Sequence, residues 1–360
     1  MDSAAGPDVV IGLSAMVGAT LPAEAQSRYL DLKPYVDDAS DFKASDYYMP
    51  AMDAGVVHGK RYFLPFSFDA FPIATTEETA KEYGFSAKKP PTLEQWVEIA
   101  KRAKEKTGEP LAYACLRGRQ YFYYTALMSG CPTPVDQVAR TANFDTKEFR
   151  LALDWLEELY QNQYDANHNA DQFRMNMREK PWVEFALPPT GISTLIRHQP
   201  LPDEMSNPGS PVILLNGASQ EGSLGLGGSL SVLAVNGKSN ATDAAIAFVK
   251  TCMDPQVQSD VMAVVKTSST DAGILLGSIP VNRQIARRAL EETAASQHLK
   301  NAEALKQAET YLDGIQQFVF VEKKLQVTID DEIERYVNGE TDKDELIATL
   351  NEKVNAVLKE

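Results

Sequence analysis

Short apolar runs bounded by turn residues alternate along this chain with segments whose apolar positions recur at the helical period. Gly6-Pro7-Asp8-Val9-Val10-Ile11-Gly12 is a turn followed by a β-branched run, which predicts a buried strand ending at a loop. A stretch studded with Pro and Asp runs to Pro50, and Val56 to Pro65 then predicts a turn leading into a strand that proline stops. Thr92-Leu93-Glu94-Gln95 has the spacing of a capping box, and Trp96, Ile99 and Ala100 follow on one face, so a helix starts at Thr92. Leu111 to Leu116 predicts a strand, ended by Arg117-Gly118-Arg119 before the aromatic run Tyr121 to Tyr124 opens an apolar helix. Asp145 and Glu148 are placed to cap a helix whose Ala152, Trp155, Leu156 and Leu159 share a face.

Residues 181–230 are poor in charge and rich in Pro, Gly and Ser, which predicts irregular structure with short strands. A glycine cluster closing with Gly225-Leu226-Gly227-Gly228 precedes a predicted strand, Leu230 to Val235. A helix through Ala244, Ala245, Phe248 and Val249 stops before Asp254-Pro255. The last third reads as helical and closes with Leu346, Ile347, Leu350, Val354, Val357 and Leu358 on one face behind Thr341-Asp342. Strands alternating with helices predict an α/β protein with mostly parallel sheets, and 360 residues predict about two domains. The cleft between two such lobes is the default ligand site.

Composition narrows the partners. An apolar fraction of 44% with 24% charged residues is that of a folded globular chain. The net charge of −15 argues against a nucleic-acid phosphate backbone as partner. Cys115, Cys131 and Cys252 stand far apart, with no CxxC pair to suggest zinc or a disulfide framework. No apolar window reaches the length of a membrane span, and the first residues lack the basic and apolar regions of a signal peptide.

Most catalytic chemistry lacks a foothold. The glycines at 225–228 precede a strand rather than opening a helix, so they fit a backbone approached closely by another surface or a neutral ligand better than a phosphate cradle. His58, His168, His198 and His298 have no metal-site spacing, no metal or cofactor is expected, and no G-x-S-x-G elbow marks a hydrolase. Aromatic residues remain: Tyr62, Phe63, Phe66, Phe68 and Phe71, then Tyr121 to Tyr124, then Trp182. Such rings either fill cores or stack on the C–H faces of sugars, and neighbours in one segment can divide between the two roles. Asp69 sits among apolar residues and needs donors, which a hydroxylated ligand in a cleft would supply. Arg119 is either solvated surface or a donor opposite such a ligand.

Taken in order, several motifs resemble the extracellular solute-binding proteins of bacterial ABC importers, in the carbohydrate-binding family that includes maltose-binding protein. They are Gly6-Pro7-Asp8-Val9-Val10, then His58-Gly59-Lys60-Arg61-Tyr62-Phe63-Leu64-Pro65, Pro91-Thr92-Leu93-Glu94-Gln95-Trp96, and Leu230 to Val235 with the helix ending Asp254-Pro255-Gln256-Val257-Gln258. Ile279-Pro280-Val281-Asn282 and Tyr336-Val337-Asn338-Gly339-Glu340 complete the series.

The resemblance implies a two-lobed periplasmic-binding-protein (Venus-flytrap) fold, each lobe a mostly parallel sheet flanked by helices. Lobe one is expected over 1–112 with 234–312 and lobe two over 113–233 with 313–360, the chain crossing between them three times. The family's first strand and helix have no counterpart here, so lobe one is expected to lack that βα unit. The implied protein is a non-catalytic, monomeric, extracytoplasmic receptor that delivers a mono- or oligosaccharide to the transmembrane subunits of an ABC permease. A sensing receptor without transport and an enzyme on a two-lobed scaffold are the alternatives. The implied ligand-binding residues are Ser14 and Met16 in the loop after the first strand, Phe66 and Asp69 near the first crossing, Arg119, Tyr121, Trp182 and Gly228.

Overall fold

The computed structural model describes residues 6–13, 22–40, 42–70, 72–86, 88–108, 111–114, 122–136, 139–161, 183–185, 212–215, 225–267, 279–296, 302–318 and 323–359. In chain order the strands are β1 (Val9–Leu13), β2 (Val56–Val57), β3 (Lys60–Arg61), β4 (Leu64–Ala70), β5 (Ile73–Thr76), β6 (Ala112–Ala114), β7 (Val135–Asp136), β8 (Thr141–Ala142), β9 (Val183–Phe185), β10 (Val212–Leu215), β11 (Gly225–Val235), β12 (Ile279–Pro280) and β13 (Ile315–Phe318). One sheet has the order β1-β11-β4-β12, with β13 also on β11, and a second has the order β10-β5-β9-β6. β2–β3 and β7–β8 are separate hairpins.

Each sheet has its own core. Leu32, Met52, Leu64, Phe68, Leu230, Val235, Ile285 and Leu312 belong to the first. Ile73, Trp96, Phe122, Trp155, Leu215, Leu325, Leu350 and Leu358 belong to the second. These cores move the expected lobe limits. The chain leaves the first core after Ala70 and enters the second at Ile73, so the segment 73–111 packs with the second lobe. It returns between Leu215 and Gly225 and leaves again between Phe318 and Lys323, giving three crossings among the described residues. Packing decides this: the Leu93–Thr107 helix buries Trp96 against Trp155, ring centroids 6.2 Å apart, well inside the second core.

That helix starts as its sequence predicts. The Gln95 backbone N–H donates to Thr92 Oγ1 at 3.3 Å, and the Thr92 N–H donates to Gln95 Oε1 at 2.9 Å, which satisfies two helix-end donors reciprocally. The Lys147–Gln161 helix is capped one residue later than expected: Thr146 Oγ1, not Asp145, accepts the Phe149 N–H at 3.1 Å. Asp254 caps the Pro255–Thr267 helix and Asp342 the Lys343–Lys359 helix. The last third is less uniformly helical than its periodicity suggests, because β12 and β13 lie within it.

Two further expectations change. The described strand pairs are mostly antiparallel rather than mostly parallel; only β11–β13 and β6–β9 are parallel among them. The reason is the path of the chain. β4 carries it out of the first lobe and β11 brings it back alongside, while β5 enters the second lobe beside the departing β10, so neighbours at the crossing must run in opposite directions. Pro65 lies inside β4 instead of ending it. It faces Val232 at a register shift between Ser231 and Val232, where the ladder tolerates the missing N–H.

Candidate functional site

The crossing is built from three strand ends. Asp69 and Ala70 close β4, Gly227 and Gly228 lie near the start of β11, and Gln317 and Phe318 close β13. Gly228 pairs with Asp69, Gly227 with Ala70, and Gly227 also with Phe318. Two residues singled out in the sequence, far apart along the chain, are thus brought directly opposite each other. The Asp69 side chain is half-buried, and its Oδ1 accepts the Ala70 N–H at 3.3 Å.

The glycine cluster is part of β11 rather than a loop before it. Gly227 explains its composition, because a Cβ there would lie 2.3 Å from Cε1 of Phe318. The backbone is approached by another surface, as the sequence reading allowed, and that surface is an aromatic ring. Phe318 packs edge-on to Phe68, which packs edge-on to Tyr48, both at 5.3 Å between centroids. The Arg283 guanidinium lies over the Tyr48 ring at 4.5 Å and pairs with Asp313, tying the crossing to the outer helices of the first lobe.

The strand directions place the ends of the loops. β1 and β4 both run antiparallel to β11, so β1 ends at Leu13, opposite Ser231, towards the same edge as Asp69. In the second sheet Ile73 pairs with Phe185 and lies on the crossing side; Phe185 pairs with Ala114, the last residue of β6. β9 begins with Val183 opposite Thr75, away from the crossing. Ser14, Met16, Arg119, Tyr121 and Trp182 lie outside the described residues. Phe66 is only 8% exposed and packs in the first core.

The helix Phe122–Met128, next after the segment holding Arg119 and Tyr121, is anchored by a residue the sequence did not single out. Asp330, fully buried, accepts the Tyr123 N–H on Oδ1 at 2.9 Å. Burial, with a smaller push from the Asp331 charge, raises its carboxyl to about 7 against the lowering effect of hydrogen bonds from the Tyr123 N–H and Gln326. The folded state therefore holds this proton more tightly than the unfolded chain. The stability Asp330 contributes is full below the ordinary carboxylate range and is lost as pH rises through about 7. Asp330→Asn keeps the acceptor and removes the charge. The variant is expected to match the native chain near pH 4 and to be more stable at pH 8 by on the order of 2 kcal/mol, read from urea midpoints at both pH values.

No family model matches the chain, and no curated protein matches it by sequence. Solved structures do. The sugar-binding protein MalE from Xanthomonas citri superposes with a TM-score of 0.67 at 17% identity, covering 98% of this chain and 84% of that one. An ABC substrate-binding protein from Listeria monocytogenes in complex with cycloalternan gives 0.62 at 15% identity, over 98% and 85%. The cyclic alpha-maltosyl-1,6-maltose binding protein from Arthrobacter globiformis gives 0.61 at 17% identity, again over 98% and 85%. With its two cores, its three crossings and this likeness over nearly its whole length, the chain has the two-lobed periplasmic-binding fold of the maltose-binding-protein group.

Proposed function

We propose that this chain is the substrate-binding receptor of an ABC importer, capturing a mono- or oligosaccharide between its lobes and delivering it to the permease's transmembrane subunits outside the cytoplasm. The observation that carries the reading is Asp69 set against Gly228 at the strand crossing, on a fold whose solved counterparts bind sugars. A half-buried carboxylate accepts hydroxyl hydrogen bonds, and the residue paired with it is a glycine, which adds no side chain of its own. Leu13 and Ala114 end strands on the crossing side, so the segments that follow them, with Ser14, Met16, Arg119 and Tyr121, are the proposed remainder of the site. The strand carrying Val183 gives no such support to Trp182.

Binding without chemistry suits this arrangement: hinge closure around a neutral ligand needs no nucleophile or paired base. No helix among the described residues is long and apolar enough to cross a membrane. The test is calorimetric titration with the sugar selected by a thermal-shift panel. Asp69→Asn should weaken binding about tenfold to a hundredfold, the value of hydrogen bonds to a charged acceptor, with an unchanged melting temperature of the free protein. Native affinity in that variant would remove Asp69 from the site.

A further inference from the structure

The described residues of one pocket all belong to the first lobe, and none is a strand-crossing residue. The pocket encloses about 520 Å³, within the size range of small-ligand sites. One wall is aromatic. Phe42 and Tyr47 stack with ring centroids 5.3 Å apart and planes 11° from parallel, and Tyr35 is 39% exposed, unusually open for a large ring in this chain. Phe42 and Tyr47 also pack partly against the first core, which holds the wall in place.

The facing polar groups are fixed by capping duties. Asp254 Oδ1 accepts the N–H groups of Gln256 and Val257 at 2.8 and 3.3 Å. Asn282 Oδ1 accepts those of Gln284 and Ile285 at 3.0 and 3.1 Å, and Asn282 is almost fully buried. Both side chains are therefore locked before any ligand arrives, which lowers the entropy cost of binding. Among the described lining residues Lys43 and Lys250 balance Asp46 and Asp254, on a protein whose net charge is −15. That described set favours neither an anion nor a cation.

We infer that this pocket is a second carbohydrate-binding site, taking one neutral sugar ring against the Tyr35–Phe42–Tyr47 wall, with hydroxyls directed to Asp254, Asn282 and the flanking lysines. Apolar C–H faces suit the aromatic wall, and hydroxyls both donate and accept, as a mixed set of carboxylates, amide and ammonium groups requires. Every described lining residue belongs to first-lobe segments, so binding there does not depend on hinge closure or on the crossing site.

The test titrates the full chain, and its Tyr35→Ala, Tyr35→Phe and Asp69→Asn variants, with maltotriose and with galactose, following tyrosine and phenylalanine ring resonances. A binding isotherm that Tyr35→Ala weakens about tenfold, that Tyr35→Phe restores and that Asp69→Asn leaves unchanged is the expected result. Absence of any response to both sugars would overturn the inference, as would a response in which Tyr35→Ala weakens no binding component. If Asp69→Asn alone abolishes all response, this pocket is not a sugar site and the crossing site stands. If Tyr35→Ala alone does so, the pocket stands and the crossing site falls.

Discussion

Arg61→Met is expected to destabilise the first lobe by about 3 kcal/mol, near the low end for removing one partner of a buried ion pair, because Asp37 keeps some contact with solvent. Arg61 is only 1% exposed, and its Nε donates to Asp37 Oδ1 at 2.8 Å. A second guanidinium nitrogen donates to the Met52 carbonyl, at the end of the Met49–Asp53 helix. The same residue's backbone N–H donates to Asp31 Oδ1 at 3.0 Å, and its carbonyl accepts the Leu32 N–H at 2.7 Å. Methionine retains those backbone bonds and most of the volume, but leaves Asp37 and the Met52 carbonyl without their shared donor. Chemical denaturation followed by circular dichroism measures the loss. Arg61→Met with Asp37→Leu should recover part of it, because the pair then leaves no stranded carboxylate.

Gly227→Val is expected to cost about 3 kcal/mol through overpacking at the crossing. The first added carbon alone falls within 2.3 Å, 2.6 Å and 2.8 Å of three atoms of the Phe318 ring. That ring cannot simply rotate away, since it is packed edge-on against Phe68, a fully buried residue. Relief must come from moving β13 relative to β11, which strains the strands joining the lobes. The double variant Gly227→Val with Phe318→Ala should be more stable than the sum of the single effects, a coupling that equilibrium unfolding of all four proteins measures. Simple additivity would mean that the two residues do not share space.

The pattern of apolar positions carried much of the architecture. The capping box at Thr92 and the closing helix face from Leu346 to Leu358 rest on local chemistry and appear in the structure, while the strand opening at Val9 forms at the sheet edge with Ile11 48% exposed rather than buried. Non-local facts were not legible. That Leu93–Thr107 packs in the second lobe depends on Trp96 meeting Trp155, which no local pattern announces. The antiparallel crossing follows from where β11 returns, not from the composition of either strand. Gly225 to Gly228 read as part of an irregular stretch ahead of a strand, yet they belong to β11, and the nearness of Phe318 at Gly227 required a residue without a side chain.

The candidate site divided in the same way. Asp69 was legible as a carboxylate among apolar neighbours, and Gly228 as part of a glycine-rich stretch, but only the register of β4 against β11 brings them together. Phe66 carried the same aromatic signal as a stacking residue and is core, since both faces of β4 are covered. Asp330 gave no signal on its helix, because its role depends on the distant start of the Phe122–Met128 helix.

Small-angle scattering combined with a thermal-shift panel of mono- and oligosaccharides tests the central claim most directly. A ligand that binds only the native state raises its melting temperature by mass action, and closure of two lobes reduces the radius of gyration. One class of sugar is expected to produce both effects, saturating together as concentration rises. A folded chain whose melting temperature and radius respond to no sugar in the panel would contradict it.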